Sequence, residues 1–241
     1  MSEEMKESRE KLTKIKIPLF DLDGTVFKAG NTVHNQSFDY AFENVYGIKA
    51  SQNEIDTQGK TDKQIVLEVL ALHGLNREQA KAKLDDAQKT MVDYFLKNCN
   101  SGDYFVLPGV RDLLAKLKEA GIPIGVLTGN QEAIAWKKLE IAGIKDYFDF
   151  GAFGGVTDKR VELVEIAKKR ADGKFGVYFP VENFVIIGDT PKDIACAKDA
   201  GIPVIAVSSG TYSYGDLGKN SPDLLVYSLT EQDKVMDFLT K

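Results

Sequence analysis

Apolar residues fall in short runs along two separate stretches of the chain. Ile15 to Leu22 forms the first, and Ile122–Leu127, Phe184–Ile187, Ile202–Val207 and Leu224–Tyr227 follow after a long gap. Short, continuous runs of Val, Ile and Leu suit strands buried on both faces, as in a parallel sheet. Helical patterns with legible ends lie between them. Pro108 opens one that carries Leu113, Leu114 and Leu117 on a face and stops at Gly121. Asn130 stands as N-cap of the next, which stops at Gly143, and Pro191 occupies the first position of a third, which ends at Gly201. This alternation predicts an α/β fold, a doubly wound parallel sheet.

The stretch between the first run and the rest has a different texture. Val33–Tyr46, Thr61–Leu72 and Arg77–Lys97 read as successive helices with no buried-strand run among them. The expected organisation is an α/β core from residues 1–27 and 105–241, with a helical cap inserted over residues 28–104. Pro18 sits awkwardly inside the first strand, because proline removes a ladder donor. Either pairing begins after it or a bulge accommodates it.

Composition bounds the function without choosing it. The 241 residues are 43% hydrophobic and 28% charged, an ordinary globular balance. A net charge of −5 gives no nucleic-acid footprint, which needs a basic surplus. Met1 to Lys14 is polar and charged, without the apolar segment of a secretory signal, and no run approaches the roughly 18 residues of a membrane span. The expectation is a cytoplasmic protein, monomer or homodimer, with no nucleic-acid or membrane partner. Cys99 and Cys196 are far apart, and Cys196 reads as a buried free thiol.

The placing of polar residues changes the picture. Asp21 and Asp23 follow the first apolar run, Thr128-Gly129-Asn130 follows Ile124–Leu127, and Asp189 follows Val185–Gly188 with Asp193 one helical turn on. In a parallel sheet these ends share the carboxyl edge, where open α/β sheets bind ligands. Converging carboxylates repel one another unless a cation holds them, and an oxygen-only set suits Mg²⁺. A metal of that kind eases the approach of one anion, Asp21, to another, a substrate phosphate. Asp21 is then the nucleophile, forming an aspartyl-phosphate, and Asp23 is the acid/base that serves leaving group and water in turn. The Thr128 hydroxyl and the amides beside it bind phosphoryl oxygens.

Asp21-Leu22-Asp23-Gly24-Thr25, Leu127-Thr128-Gly129-Asn130 and Gly188-Asp189-Thr190-Pro191-Lys192-Asp193 resemble three motifs of the haloacid dehalogenase superfamily, in its order and separation. Leu107-Pro108-Gly109-Val110 resembles the return from a helical cap, and the nearest likeness is to phosphoglycolate-phosphatase-like members. The resemblance implies a Rossmann-like core and a phosphatase acting on a small phosphorylated metabolite. It implies Mg²⁺ held by Asp21, the carbonyl of Asp23 and Asp189, with Asp193 in support. Thr128, Gly129 and Asn130 belong to the implied phosphate site. Its remaining motif needs a cation before the fourth strand's helix, where Lys159 and Arg160 both stand and the surrounding pattern favours Arg160. Dehalogenases lack an aspartate at the place of Asp23, so its presence points to phosphoryl transfer. The residues after Thr25, Val26-Phe27-Lys28-Ala29-Gly30, depart from many relatives and leave the substrate unread.

Other readings compete. A phosphomutase of the β-phosphoglucomutase kind uses the same chemistry, and a regulatory phosphate-binding module could keep the fold. A receiver-like phosphoacceptor fits poorly with Asp23 and the helical insertion. Asp193 could serve only as a first-turn acid facing a helix dipole. His34 and His73 lack partners at ligand or triad spacing and read as surface or cap residues, and Trp136 as packing. In the loop Thr57–Asp62, Thr61 reads as a helix cap and Lys60 as a contact for a substrate anion.

Overall fold

The chain begins with strand β1 (Ile17–Phe20), followed by helices α1 (Thr32–Ala41), α2 (Asp62–Leu72), α3 (Arg77–Ala82) and α4 (Leu84–Asn98). It continues through α5 (Val110–Glu119), β2 (Gly125–Thr128), α6 (Glu132–Ile141), β3 (Phe150–Phe153), α7 (Glu162–Phe175) and β4 (Phe184–Gly188). It ends with α8 (Pro191–Ala200), β5 (Val204–Val207), α9 (Tyr214–Gly218), β6 (Leu224–Val226) and α10 (Gln232–Thr240). The computed structural model describes residues 15–28, 32–100, 102 and 104–241. The polar stretch Met1–Lys14 lies outside the described residues. No helix among those described is long and apolar enough to cross a membrane.

The strands form one six-stranded sheet, all neighbours parallel, in the order β3-β2-β1-β4-β5-β6. The chain builds outward from β1 in one direction, then returns to the other flank of β1 for β4. The order therefore reverses between β1 and β4, and a crevice opens at their carboxyl ends. Side chains alternate between two buried layers. Phe20, Val126, Val185, Ile187 and Ile205 pack with Leu113 and Leu117 of α5, Leu139 of α6 and Val235 of α10. Ile17, Leu19, Leu127, Ile186 and Val204 pack with Leu163 and Ala167 of α7 and Ile194 and Cys196 of α8. Burial on both faces is why these strands read as unbroken apolar runs.

Pro18 stays inside β1, opposite Val185 of β4. Since Asp21 donates its N–H to Ile187 of β4, odd-numbered residues of β1 face that flank and Pro18 nitrogen faces β2. Pairing with β2 begins only at Leu19, so no ladder bond is lost.

The expected long helix Arg77–Lys97 is two helices, α3 and α4, parted at Lys83, where ψ turns to 14°. Asn130 does not cap α6; Gln131 stands there, and Asn130 turns inward. Strand β3 gave no apolar run to read, because its centre is Gly151-Ala152. Phe153's ring fills the space a side chain at Gly151 would need.

The helices after β1 have their own core, in which Phe38, Phe42, Val66, Leu70 and Met91 are buried together. The segments leaving and re-entering the sheet layer run side by side, Leu107 N–H donating to Val26 and Lys28 N–H to Phe105. Phe95, near the end of α4, belongs instead to the sheet's layer, beside Tyr104 at 6.4 Å between ring centroids. Phe95→Ala should destabilise the protein by about 3–5 kcal/mol, read as a lower denaturant midpoint.

Candidate active site

Asp21 ends β1 at the switch point, its N–H tied to Ile187 of β4. Beyond it the chain folds tightly. The Leu22 carbonyl accepts from the N–H groups of Thr25, Val26 and Phe27. Gly24 adopts φ 97°, and a Cβ there would lie 2.2 Å from Asp189 Oδ2. A Cβ on Gly210 would come within 1.7 Å of the same oxygen, so both positions admit glycine alone. Thr25 Oγ1 donates to Asp189 Oδ1 at 2.9 Å, and Ser209 Oγ to the Gly24 carbonyl at 2.8 Å.

Asp21, Asp189 and Asp193 are all buried, and each brings a carboxylate oxygen within 4.8 Å of the others'. Burial first, then the neighbouring charges, pushes Asp189 up to about 8. Asp21 rises to about 7, again chiefly through burial, although Arg160 pulls it back. Arg160 supplies the counter-charge. Its Nη2 lies 3.1 Å from Asp21 Oδ1 and 2.5 Å from Asp193 Oδ1. Asp193 is held from the other side by a capping box, its Oδ2 accepting from the N–H and hydroxyl of Thr190. It is thus both the first-turn acid of α8 and part of the cluster. Lys159, the other candidate cation, is not brought in: its side chain is exposed and faces Glu162 at 3.5 Å.

Asp189 Oδ2 is buried without a hydrogen-bond partner among the described residues. An orphaned carboxylate oxygen in an oxygen-only cluster fits a hard divalent cation such as Mg²⁺.

Asp23 meets a different environment. Lys138 Nζ contacts its Oδ1 at 2.9 Å and Oδ2 at 2.7 Å, and Asn130 Nδ2 donates to Oδ2 at 2.9 Å. Burial raises the pKa of Asp23, but the charge of Lys138, with His34 and the Asn130 hydrogen bond, outweighs it and leaves the group below the usual carboxylate range. Asn130 also donates to Thr128 Oγ1 at 3.1 Å, linking the end of β2 to Asp23. Lys138 itself is fully buried.

Lys138 and His34 were missed in the sequence. Lys138 lies on the buried stripe of α6 with Ile134 and Ala135, so a charge on an apolar face was the available signal. His34 is no surface residue. It is buried on the inward face of α1 with Phe38, its Nδ1 3.4 Å from Lys138 Nζ and its Nε2 3.1 Å from Asp62 Oδ2. Asp62 Oδ2 also accepts from Gln131 N–H at 2.8 Å, and Asp62 N–H donates to the Gly129 carbonyl at 2.7 Å. The start of α2, capped by Thr61, is thereby docked on the sheet's carboxyl edge. Gly129 is needed there, because a Cβ would meet the Lys60 carbonyl at 2.0 Å. Lys60 pairs with Glu68, and His73 with Glu54 at the surface. Trp136 packs on Phe153. Between the helices and the sheet edge lies a cavity of about 230 Å³, lined by Asp21, Asp23, Thr128, Arg160 and Lys138 below and by α1 and the Gln52–Lys60 segment above.

A model of the haloacid dehalogenase-like hydrolase family matches residues 18–207. A protein provisionally named pyrophosphatase PpaX, from Caldanaerobacter subterraneus subsp. tengcongensis, is 27% identical over 232 residues, 92% of this chain and 95% of that protein. A phosphoglycolate phosphatase from Yersinia pestis is 28% identical over 210 residues, covering 86% of this chain and 87% of its own. The crystal structure of a predicted phosphatase from Clostridium acetobutylicum superposes with a TM-score of 0.69 at 23% identity, over 92% of this chain and 99% of that one. That last likeness speaks for the fold alone.

The raised pKa values have a consequence for stability. A carboxyl group whose folded pKa exceeds its unfolded value of 3.8 stabilises below that value, and the stabilisation is lost as pH rises toward the folded pKa. Metal-chelated protein should therefore lose thermal stability between pH 5 and pH 8. Added Mg²⁺ should raise Tm more at pH 8 than at pH 5.5, as scanning calorimetry in chelator and in Mg²⁺ would read.

Proposed function

Because the chain belongs to the haloacid dehalogenase-like hydrolase family, we propose that it is a Mg²⁺-dependent phosphatase that hydrolyses small phosphomonoesters through an aspartyl-phosphate. The observation that carries this reading is the contrast between two acids on one loop. Asp21 faces the cavity next to Arg160, while Asp23, two residues on, is held in a separate network by Lys138 and Asn130.

The phosphoryl group fits between Asp21 and the Thr128 hydroxyl, with the Gly129 and Asn130 amides nearby to receive its oxygens. Charge neutralisation for the meeting of carboxylate and phosphate is what Mg²⁺, held by Asp21, Asp189 and the Asp23 carbonyl with Asp193 behind, supplies when bound. A carboxylate oxygen of Asp21 forms a bond to phosphorus as the ester oxygen leaves, and Asp23 gives that oxygen its proton. In the second step Asp23 takes a proton from a water that attacks phosphorus, freeing Asp21 and inorganic phosphate. Its low pKa suits the second task. For the first it must take up a proton as substrate binds, and the negative charge of an arriving phosphate favours that uptake. The helices that roof the cavity act as a cap, limiting water to what the second step needs.

Asp21→Asn should lower phosphate release by on the order of 10⁴-fold or more, with Tm unchanged or higher because a buried like charge is removed. Residual turnover near that of the parent protein would refute the nucleophile assignment. Lys138→Met should misplace Asp23 and so depend on the leaving group. Alkyl phosphates, which need the acid, should slow by about 10²–10⁴-fold, and p-nitrophenyl phosphate by under about tenfold. Equal losses on both would remove Asp23 from the acid role.

A further inference from the structure

The roof of the cavity has a chemistry of its own. Asn35 and Phe38 reach it from α1, and Gln52, Asn53, Thr57 and Gln58 from the segment before α2. These are amides, one hydroxyl and one aromatic ring. Among the described residues, the Asn35 and Gln58 amides and the Thr57 hydroxyl have no side-chain hydrogen-bond partner, so they are available to a ligand.

Among the described residues, each cation lining the cavity, by contrast, already faces a carboxylate. Arg160 is shared by Asp21 and Asp193, and Lys138 is held by both oxygens of Asp23. Lys60 pairs with Glu68, and His34 faces Asp62. Lys192 packs under the Gly59 turn, its Nζ buried with no hydrogen-bond partner among the described residues and Asp56 at 3.9 Å, but it does not line the cavity. A leaving group bearing a carboxylate or second phosphate would give up its water under this roof and meet, among the described residues that line it, only cations already paired with a carboxylate, an unfavourable exchange. A neutral hydroxyl both donates and accepts, so amides and a hydroxyl satisfy it without charge. The Phe38 ring offers an apolar wall to the C–H face of a carbohydrate. A volume of about 230 Å³ lies below the roughly 300–1,000 Å³ of sites for drug-sized ligands, which leaves little room for a nucleoside.

We infer that the leaving group is a small neutral polyol or sugar, selected by Asn35, Thr57 and Gln58 through its hydroxyls. This rests on the phosphatase reading above, and it separates the chain from the substrates in its relatives' names, one bearing a carboxylate and the other a second phosphate.

The test measures kcat/KM in Mg²⁺ for glycerol, pentose and hexose phosphates against phosphoglycolate and pyrophosphate, with p-nitrophenyl phosphate as the reference. At least one polyol or sugar phosphate should exceed both charged competitors by about tenfold or more. If p-nitrophenyl phosphate is hydrolysed and no polyol or sugar phosphate reaches that margin, this inference is overturned and the phosphatase reading stands. If nothing in the panel is hydrolysed, both fall. In the double variant Asn35→Leu, Gln58→Leu, the preference for the best sugar or polyol phosphate over p-nitrophenyl phosphate should drop by about tenfold or more. A folded double variant that keeps the parent's preference would overturn the assignment of these residues.

Discussion

Three carboxylates buried together at the reversal of strand order govern how this protein is built. Asp21, Asp189 and Asp193 come from β1, from the end of β4 and from the first turn of α8, and like charges so close cannot all remain ionised without compensation. Arg160 provides part of that compensation, and the surrounding chain is shaped to the remainder. Thr25 holds one oxygen of Asp189, Thr190 holds one of Asp193, and glycines at 24 and 210 leave room for the orphaned oxygen of Asp189. The site is thus poised to take up positive charge.

A second network separates Asp23 from that cluster. Lys138 is a lysine placed where the helix pattern calls for an apolar residue, and a fully buried ammonium is costly unless paired. Its pairing with Asp23 gives two carboxylates on one short loop opposite electrostatic characters, one raised and one lowered. In the proposed reaction, such divergence between neighbouring acids lets a single loop serve as both nucleophile and acid/base. The same network runs on through His34 to Asp62, so the helices above the sheet and the loop below it share one set of polar contacts.

That sharing explains the docking of the helical layer. Its own core is small, and its attachment relies on backbone bonds from the start of α2 to the carbonyls of Gly129 and Gly154, with Phe95 inserted into the sheet's layer. The cavity is formed between the two layers, so its shape follows from their contact.

The strands, the direction of the sheet and the acids at its carboxyl edge were legible in the sequence, since two-faced burial leaves continuous apolar runs and a strand end puts the next residue at the edge. The membership of Asp21, Thr128, Asp189 and Asp193 in one place followed from that geometry. What could not be read was any contact between elements far apart in the chain. Lys83 breaks a helix whose local propensity runs on, β3 hides behind Gly151-Ala152, and Asn130 leaves its capping place to reach Asp23. The choice of Arg160 over Lys159 was a matter of which side chain the turn before α7 points inward. Lys138 shows locally only as a charge on an apolar face and His34 not at all, and neither pattern names a partner, because their partners lie 115 and 28 residues away in the chain. Periodicity and turn chemistry are local, and so the sequence by itself determined the sheet and its acidic edge. Pairing of buried charges is decided only when distant segments meet, and so the tertiary structure alone decided which cation serves which acid.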